Sequence, residues 1–283
     1  DVSHTMSPGA VISVSLVTAV MPALWWALLI WRIDHHEREP RRLVIITFLW
    51  GAVPAILLSL IVEEVTGNSL RQIGEQAVPL QLLQTGLIVP VVEEVVKGLA
   101  LIGLYLFVRM EFDNIVDGVV YGALIGFGFA MTENFFYFVG AASQDGWIGF
   151  SIVFLLRSMI FGLNHAFYTA FAGAGIGLAR LTPRQTRRIL YSLAGMLVAI
   201  FFHALHNIGI MLTEFDWAAM LISLVSNFIG VISIAAIVVW ALRQETHWIS
   251  EELADEIGQA INERQYQDTL AALSRWQVWW RKR

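Results

Sequence analysis

The sequence contains no cysteine and few charged residues, and each absence narrows what the protein can be. Without cysteine, disulfide bonds and thiol catalysis are excluded. Only 14% of the 283 residues are charged, against about a quarter in soluble domains. The basic residues are spread among short loops, so we predict no nucleic-acid partner. Because 57% of the residues are hydrophobic, the composition indicates a protein of the lipid bilayer.

Long apolar stretches predict an all-α, polytopic membrane protein with seven transmembrane helices. A crossing needs about 20 predominantly apolar residues. The stretches of that length are Ala10–Trp31, Leu43–Val62, Leu80–Val108, Ile115–Ala141, Phe150–Ala179, Ile189–Leu212 and Trp217–Leu242. The chain begins at Asp1 rather than Met, so we expect the natural N-terminus to differ.

Arginines lie in alternate loops, which predicts the orientation of the chain. The loops after the first, third and fifth spans are basic, whereas the loops between them carry only Arg71. By the positive-inside rule, the N-terminus lies outside and the C-terminus in the cytoplasm of a multi-pass protein. The arginines of the basic loops are Arg32, Arg38, Arg41, Arg42, Arg109, Arg180, Arg184, Arg187 and Arg188.

The chain becomes polar after Leu242, so we predict a cytoplasmic tail over residues 243–283. Acidic residues open this tail, and tryptophans beside basic residues close it. The pattern is typical of an amphipathic helix that rests on the anionic inner leaflet; a solvated helix without a membrane role is the alternative. The residues are Glu251, Glu252, Asp255, Glu256, Trp276, Trp279, Trp280, Arg281, Lys282 and Arg283.

Glu93 and Glu94 are adjacent near the centre of the third span. A carboxylate at mid-bilayer costs at least a few kcal/mol, so this pair indicates a function. Lys97 follows Glu93 by four residues, which is the spacing of an ion pair on one helix face.

Polar residues of three later spans match this depth. By residue count, His165 lies near the middle of the fifth span, with Glu133 and His203 about a turn further out in theirs. Asn207 follows His203 by four residues, so the two side chains project together. Four consecutive spans can therefore bring carboxylates, imidazoles and a carboxamide into one layer.

Three further intramembrane residues have structural interpretations. His206 is rotated away from Asn207 and is expected to be a packing hydrogen-bond donor. Arg157 is expected to snorkel or to pair with an acid rather than to act chemically. Asp117 lies close to the inner surface, where it could cap the fourth span together with Asp113.

Glycines recur every four residues on the fourth and fifth spans. Gly118, Gly122 and Gly126 form one such series, and Gly173 and Gly177 form another. Small residues at this spacing let helix backbones approach closely. We therefore expect tight packing around the polar layer.

These polar residues point to hydrolysis by activated water, since no nucleophilic Ser or Cys accompanies them. A glutamate would take the proton from water, either directly or with a metal that lowers the pKa of the water. His and Asn would stabilise the oxyanion. Glu94, His165 and His203 would make an open zinc set, although HExxH spacing is absent and the residues do not require a metal.

Four blocks of the sequence resemble the PrsW family of intramembrane proteases, in the wider group of CAAX-prenyl endopeptidases and bacteriocin-processing proteins. The CAAX group has the motif EExxxR. In this chain Lys97 replaces that arginine and comes one residue earlier, which fits the PrsW branch. The blocks are residues 93–97, similar to EExxK; 112–122 and 128–134, similar to FDExxDGxxYG and GFAxxEN; His165; and His203 with Asn207, similar to HxxxN.

The resemblance implies an intramembrane peptidase of a prokaryotic plasma membrane. Its substrate would be a membrane-anchored protein such as an anti-sigma factor. Residues 1–242 would form the protease domain, with the catalytic helices at about 80–212. No oligomeric state is predicted.

The resemblance also implies a role for each site residue. Glu93 would be the general base, His165 and His203 would position water or polarise the carbonyl, and Asn207 would serve the oxyanion. Glu94 and Glu133 would support them or act as alternative metal ligands, with Lys97 and Asp117 as further supporting residues. Asn114 stands where the family commonly has Glu, so proton transfer there would fall to Asp113 or Asp117.

Two other functions would also place ionisable residues inside a helix bundle. One is a transporter or proton relay, and the other is a non-catalytic membrane sensor. A transporter should show inverted repeats with matching broken helices. The polar residues of this chain instead cluster in one block, between residues 93 and 207.

Overall fold

The computed structural model describes residues 7–33, 38–74 and 78–257, together with residues 260, 262, 264–267 and 269. The elements that these residues form are all helices, which confirms the all-α prediction. They are α1 (Pro8–Trp31), α2 (Arg41–Trp50), a π segment π1 (Gly51–Ala55), α3 (Ile56–Gly74), α4 (Val78–Leu83), π2 (Gln84–Ile88), α5 (Val89–Phe107), α6 (Ile115–Phe154), π3 (Leu155–Ile160), α7 (Asn164–Arg180), α8 (Gln185–Leu212), a 3₁₀ turn (Trp217–Ala219) and α9 (Met220–Asp255).

The chain is divided into two compact units, Asp1–Ile234 and Ala235–Arg283. The division falls inside α9, which continues without interruption through the predicted domain boundary at Leu242. That boundary stays a prediction. The basic and aromatic end of the predicted amphipathic tail, residues 276–283, lies outside the described residues.

Among the residues that the structure describes, five helical segments are long and apolar enough to cross a membrane. The longest of them, Ile115–Arg180, contains both the fourth and the fifth predicted span. The third predicted span is not among them, and its helix α5 carries two glutamates and a lysine. Seven crossings and their orientation stay predictions. The five segments are Pro8–Trp31, Arg41–Gly67, Ile115–Arg180, Gln185–Leu212 and Trp217–Ala254.

Large apolar side chains are exposed on the outer faces of these helices. Examples are Val17 and Trp25 of α1, Ile61 of α3 and Leu197 of α8. Soluble proteins rarely expose apolar surface on this scale, so these faces are those of a membrane protein in contact with lipid.

Helix α6 is the central element of the fold. It packs along α7 and also against α1, α2 and π1, while α7 packs along α8. Helix α5 contacts α7 and α8, and π2 contacts α8. The four predicted polar helices are therefore neighbours.

Glycines on α6 bring its backbone against that of α7. A Cβ at Gly118 would overlap the main chain of Gly173, and one at Gly126 would overlap the main-chain oxygen of His165. At Gly122, a Cβ would lie 2.9 Å from the Cα of Ala170. The prediction of close approach is confirmed, and it locates His165 directly against α6.

The predicted fifth span, Phe150–Ala179, is corrected from one helix to two. Between π3 and α7 the chain leaves the helical path over residues 161–163. The N–H of Phe161 bonds to Leu156 O, five residues back, at 2.8 Å, and a Cβ at Gly162 would overlap the carbonyl of Ser158. Glycine thus permits a tight break that places His165 in the first turn of α7 rather than in mid-helix.

Gly126→Ala should separate α6 from α7 at His165, because the new methyl group would meet main-chain atoms that cannot rotate away. We expect the free energy of unfolding in detergent to fall by about 1–3 kcal/mol, the usual cost of overpacking. Gly140→Ala on the same helix is the control, since no neighbouring atom lies within 4 Å of its Cβ position. Equal stability of the two variants would contradict the proposed contact.

Candidate active site

Lys97 lies at the centre of a buried polar cluster. Its Nζ is 3.0 Å from Glu93 Oε2, 2.9 Å from Glu94 Oε1 and 3.1 Å from His165 Nδ1. An ammonium has three N–H donors, so each of them has an acceptor. The ammonium also lies 3.8 Å from the centre of the Phe129 ring, a cation–π distance. A cation is thus fully satisfied at a place that water does not reach.

Two carboxylates orient the imidazoles of the site. His203 Nδ1 is 3.0 Å from Glu94 Oε1, and His165 Nε2 is 2.8 Å from Glu133 Oε2. A carboxylate only accepts hydrogen bonds, so these two nitrogens carry the ring protons. The other nitrogen of each neutral ring is bare, in the sense that it carries no proton and can accept a hydrogen bond. The bare nitrogens, His203 Nε2 and His165 Nδ1, both lie 3.9 Å from Glu93 Oε2, and His165 Nδ1 also accepts from Lys97 Nζ.

The two adjacent glutamates have different surroundings. Glu94 is bonded on both oxygens, because Oε1 accepts from Lys97 and His203 while Oε2 accepts from Thr169 Oγ1 at 3.0 Å. Glu93 instead lines an open cavity of about 1080 Å³. Glu94 therefore holds the cluster together, and Glu93 faces the space that a substrate can enter.

The cavity extends between α3, π2 and α5 to α8, and Glu93 is one of several polar residues that line it. Its volume matches the upper range of ligand-binding sites, about 300–1,000 Å³, which is enough for a short peptide segment. Polar lining residues include Glu63, Glu133, Arg157, His165, His203 and Asn207.

A second ion pair lies in the lining of the cavity. Arg157 of π3 pairs through Nη2 with Glu133 Oε2, and its Nε donates to Asn134 Oδ1 at 2.7 Å. The guanidinium also lies 3.8 Å from the centre of the Tyr137 ring. Of the two interpretations that the sequence left open, pairing with an acid is confirmed.

Asn207 reaches the cavity from α8. Its Nδ2 donates to the main-chain oxygen of Thr85 at 3.0 Å. An Asn amide has two N–H donors, so one of them has no partner in this bond and is available to a ligand in the cavity.

Asp117 is not among the cavity-lining residues and instead holds the start of α6. Its Oδ2 accepts from the N–H groups of Asp113 at 2.8 Å and of Asn114 at 3.0 Å. Asn114 Oδ1 accepts in return from the N–H of Asp117 at 3.0 Å. This reciprocal capping box matches the capping interpretation of Asp117 and gives Asn114 a structural role.

His206 lines the cavity, and its ring is held by residues that do not belong to the Lys97 cluster. Its Nδ1 lies 2.6 Å from Ser223 Oγ, and its ring packs edge-on against Phe161 with centroids 4.7 Å apart. This geometry agrees with the expected packing role.

Two residues of the site were missed by sequence reasoning. Thr169 follows His165 by four residues on α7, so same-face spacing could have indicated it. Glu63 lines the cavity because α3 continues beyond the predicted end of the second span at Val62. Its Oε1 is buried without a hydrogen-bond partner among the residues that the structure describes.

The cluster also fits a metal ion in the type and spacing of its ligand atoms. One atom from each of Glu93, Glu94, His165 and His203 lies within 4.8 Å of the others. Tetrahedral zinc with bonds of about 2.0–2.1 Å separates its ligands by roughly 3.4 Å, close to the 3.9 Å between Glu93 Oε2 and each bare nitrogen. Because Lys97 already contacts Glu93 and His165, a metal there would compete with its ammonium.

Comparison with known proteins gives the family. A family model described as PrsW family intramembrane metalloprotease matches residues 39–242. The chain belongs to the PrsW family. The protein is therefore an intramembrane peptidase and a multi-pass membrane protein, which confirms the resemblance noted in the sequence.

Curated relatives agree with this membership in the PrsW family. The chain is 24% identical to Protease PrsW of Geobacillus kaustophilus (strain HTA426) over 204 residues, 66% of this chain and 80% of the relative. Identity is 25% to Protease PrsW of Bacillus subtilis (strain 168) over 157 residues, 54% and 63% of the two chains. It is 25% to Protease PrsW of Clostridioides difficile (strain 630) over 208 residues, 72% and 82%. No solved structure matches.

Lys97→Met should strongly destabilise this member of the PrsW family, because two buried carboxylates would lose their shared cation. We expect the free energy of unfolding to fall by about 3–5 kcal/mol, the range for breaking a buried ion pair. Unfolding in mixed detergent micelles measures the change. Arg109→Met, at an exposed position, is the control and should stay within about 0.5 kcal/mol. A stable Lys97→Met protein would contradict the central role of the ammonium.

Proposed function

We propose that the protein hydrolyses a peptide bond of a membrane-anchored protein, such as an anti-sigma factor, with Glu93 as the general base. The observation that carries this proposal is the convergence of two bare imidazole nitrogens at 3.9 Å from Glu93 Oε2. A water molecule on the cavity side of these groups would donate to the carboxylate and present its oxygen to the cavity. A general base needs this reach to the proton that it removes.

Hydrolysis then follows from the positions of the groups. Glu93 takes a proton from the water as the water oxygen attacks the scissile carbonyl carbon. The C–N bond breaks, and Glu93 returns the proton to the leaving nitrogen. Lys97 limits the repulsion between the two carboxylates throughout. Because Glu94 and Glu133 hold the imidazoles, His165 and His203 keep their bare nitrogens directed at the water.

Asn207 is the proposed donor to the oxyanion. Its amide lines the same cavity as Glu93, and one of its N–H groups is anchored on Thr85. The other N–H would stabilise the negative charge that develops on the carbonyl oxygen. Fixed donors of this kind lower the barrier because they need no reorientation during the reaction.

A zinc ion is the proposed cofactor, consistent with the metalloprotease description of the family. His165 and His203 would hold it with Glu94 as the carboxylate ligand, which leaves Glu93 to act as the base. Bound zinc would supply Lewis acidity and a lower pKa for water. The chain's own part is to present two neutral imidazoles whose orientation is already set by carboxylates.

The environment of the reaction is the plasma membrane of a prokaryote in this proposal. The catalytic helices, about residues 80–212, would lie within a membrane domain of residues 1–242, with the N-terminus outside. The tail of residues 243–283 would be cytoplasmic. A transporter is not favoured, because the polar residues form one cluster within a family of proteases.

Glu93→Gln should abolish cleavage, because the amide cannot accept the proton of water. We expect kcat to fall by at least about 100-fold, the lower range for a lost general base. The measurement uses purified protein and a single-span substrate, found by co-expression screening, in the same vesicles. Glu64→Gln, at an exposed position of α3, is the control and should cleave normally. Retained cleavage by Glu93→Gln would remove Glu93 as the base.

Zinc binding can be measured directly, without an assay of cleavage. Protein purified with zinc should contain about one ion per chain, since three protein ligands complete a catalytic zinc site. His203→Ala should lose that ion in mass spectrometry, whereas His247→Ala, at an exposed imidazole, should keep it. Fully active protein without bound metal and insensitive to strong chelators would refute the cofactor while leaving Glu93 as base.

A further inference from the structure

A main-chain carbonyl oxygen of π2 holds the side chain of Asn207. Asn207 Nδ2 donates to Thr85 O at 3.0 Å. In a regular α-helix that oxygen would accept from Val89, four residues later. In π2 the N–H of Val89 bonds to Gln84 O instead. The next N–H along the chain would be that of residue 90, which is Pro90 and has none.

Pro90 gives a physical reason for this local geometry. A proline ring inside a helix clashes with the carbonyl four residues earlier, here that of Gly86, and a π segment relieves the clash by widening the turn. Gly86 also lets α8 approach, since a Cβ there would lie 2.7 Å from Ile208 Cγ1. Ile208 is the neighbour of Asn207, so the close approach brings the amide to the free carbonyl.

We propose that Pro90 is a positioning residue of the active site. By keeping the Thr85 carbonyl free, it anchors one N–H of the Asn207 amide and leaves the second N–H directed to the substrate oxygen. The catalytic part of this inference rests on the proposed function of Asn207, whereas the anchoring does not. Pro90→Ala would allow the N–H of Val89 to return to Thr85 O and would displace the amide.

Melting temperatures test the anchoring without any substrate. Asn207→Ala should lower the melting temperature of the purified full chain in detergent, because the bond to Thr85 is lost. In the Pro90→Ala background, the same substitution should lower it by less than half as much, because the bond is already absent. In the Pro54→Ala background, which changes a proline in π1 instead, the shift should be unchanged. Equal shifts in all three backgrounds would overturn the inference.

Kinetics with the screened single-span substrate test the catalytic consequence. Asn207→Ala should lower kcat about 100- to 1,000-fold, as for a lost oxyanion donor. Pro90→Ala should lower kcat about 10-fold with KM within about twofold, because the missing interaction is made only in the transition state. The double variant should match Asn207→Ala alone. Two results would overturn the positioning role. One is a kcat of the double variant that falls by the product of the two single losses, and the other is an unchanged kcat of Pro90→Ala.

The two proposals fail in different ways. Full kcat in Asn207→Ala would refute the oxyanion role of Asn207, and the melting temperatures would still decide the anchoring. If Pro90→Ala does not fold, Gly86→Ala takes its place, because its methyl group would push Ile208 and hence α8 away from Thr85. It should lower kcat in the wild-type background and have no further effect in Asn207→Ala. An additive loss there would count against the anchoring.

Discussion

The three hydrogen bonds of one ammonium group organise the buried polar cluster. Lys97 joins two carboxylates of α5 to an imidazole of α7, and through Glu94 the same network reaches His203 on α8. Without this cation, adjacent glutamates could not both be ionised in a medium that does not solvate them. The bare imidazole nitrogens, the accessible carboxylate and the cavity that they line all follow from this arrangement.

Spacing along single helices could be predicted from the sequence, and contacts between helices could not. The pair Glu93 and Lys97 follows from four-residue spacing, as does the side-by-side projection of His203 and Asn207. The different surroundings of Glu93 and Glu94 depend on His203 and Thr169, which belong to other helices whose rotation no periodicity encodes. For the same reason, the ion pair of Arg157 with Glu133 could not be predicted. The break at residues 161–163 could not be predicted either, because it lies within a continuous apolar stretch.

Each of the three π segments exposes a main-chain carbonyl that a side chain from a distant helix binds. Ala52 O of π1 accepts from Thr132 Oγ1 at 2.7 Å, and Ile160 O of π3 accepts from Asn227 Nδ2 at 3.1 Å. Thr85 O of π2 accepts from Asn207 in the same way. An irregular turn or the end of a helical segment can leave a main-chain oxygen without its usual donor, and in lipid such an oxygen needs a donor. The π segments are therefore sites where side chains of other helices form hydrogen bonds to the main chain.

The contact between α6 and α7 has a consequence for the lipid surroundings. Where glycines place main chain against main chain, at Gly118, Gly122 and Gly126, the contact has no side-chain rotamers that could repack when the bilayer becomes thinner or thicker. Hydrophobic mismatch is absorbed by tilt of helices or by local deformation of lipid, and the outer helices with exposed apolar faces can respond in this way. The spacing between His165 and its neighbours on α6 is thereby insulated from membrane thickness.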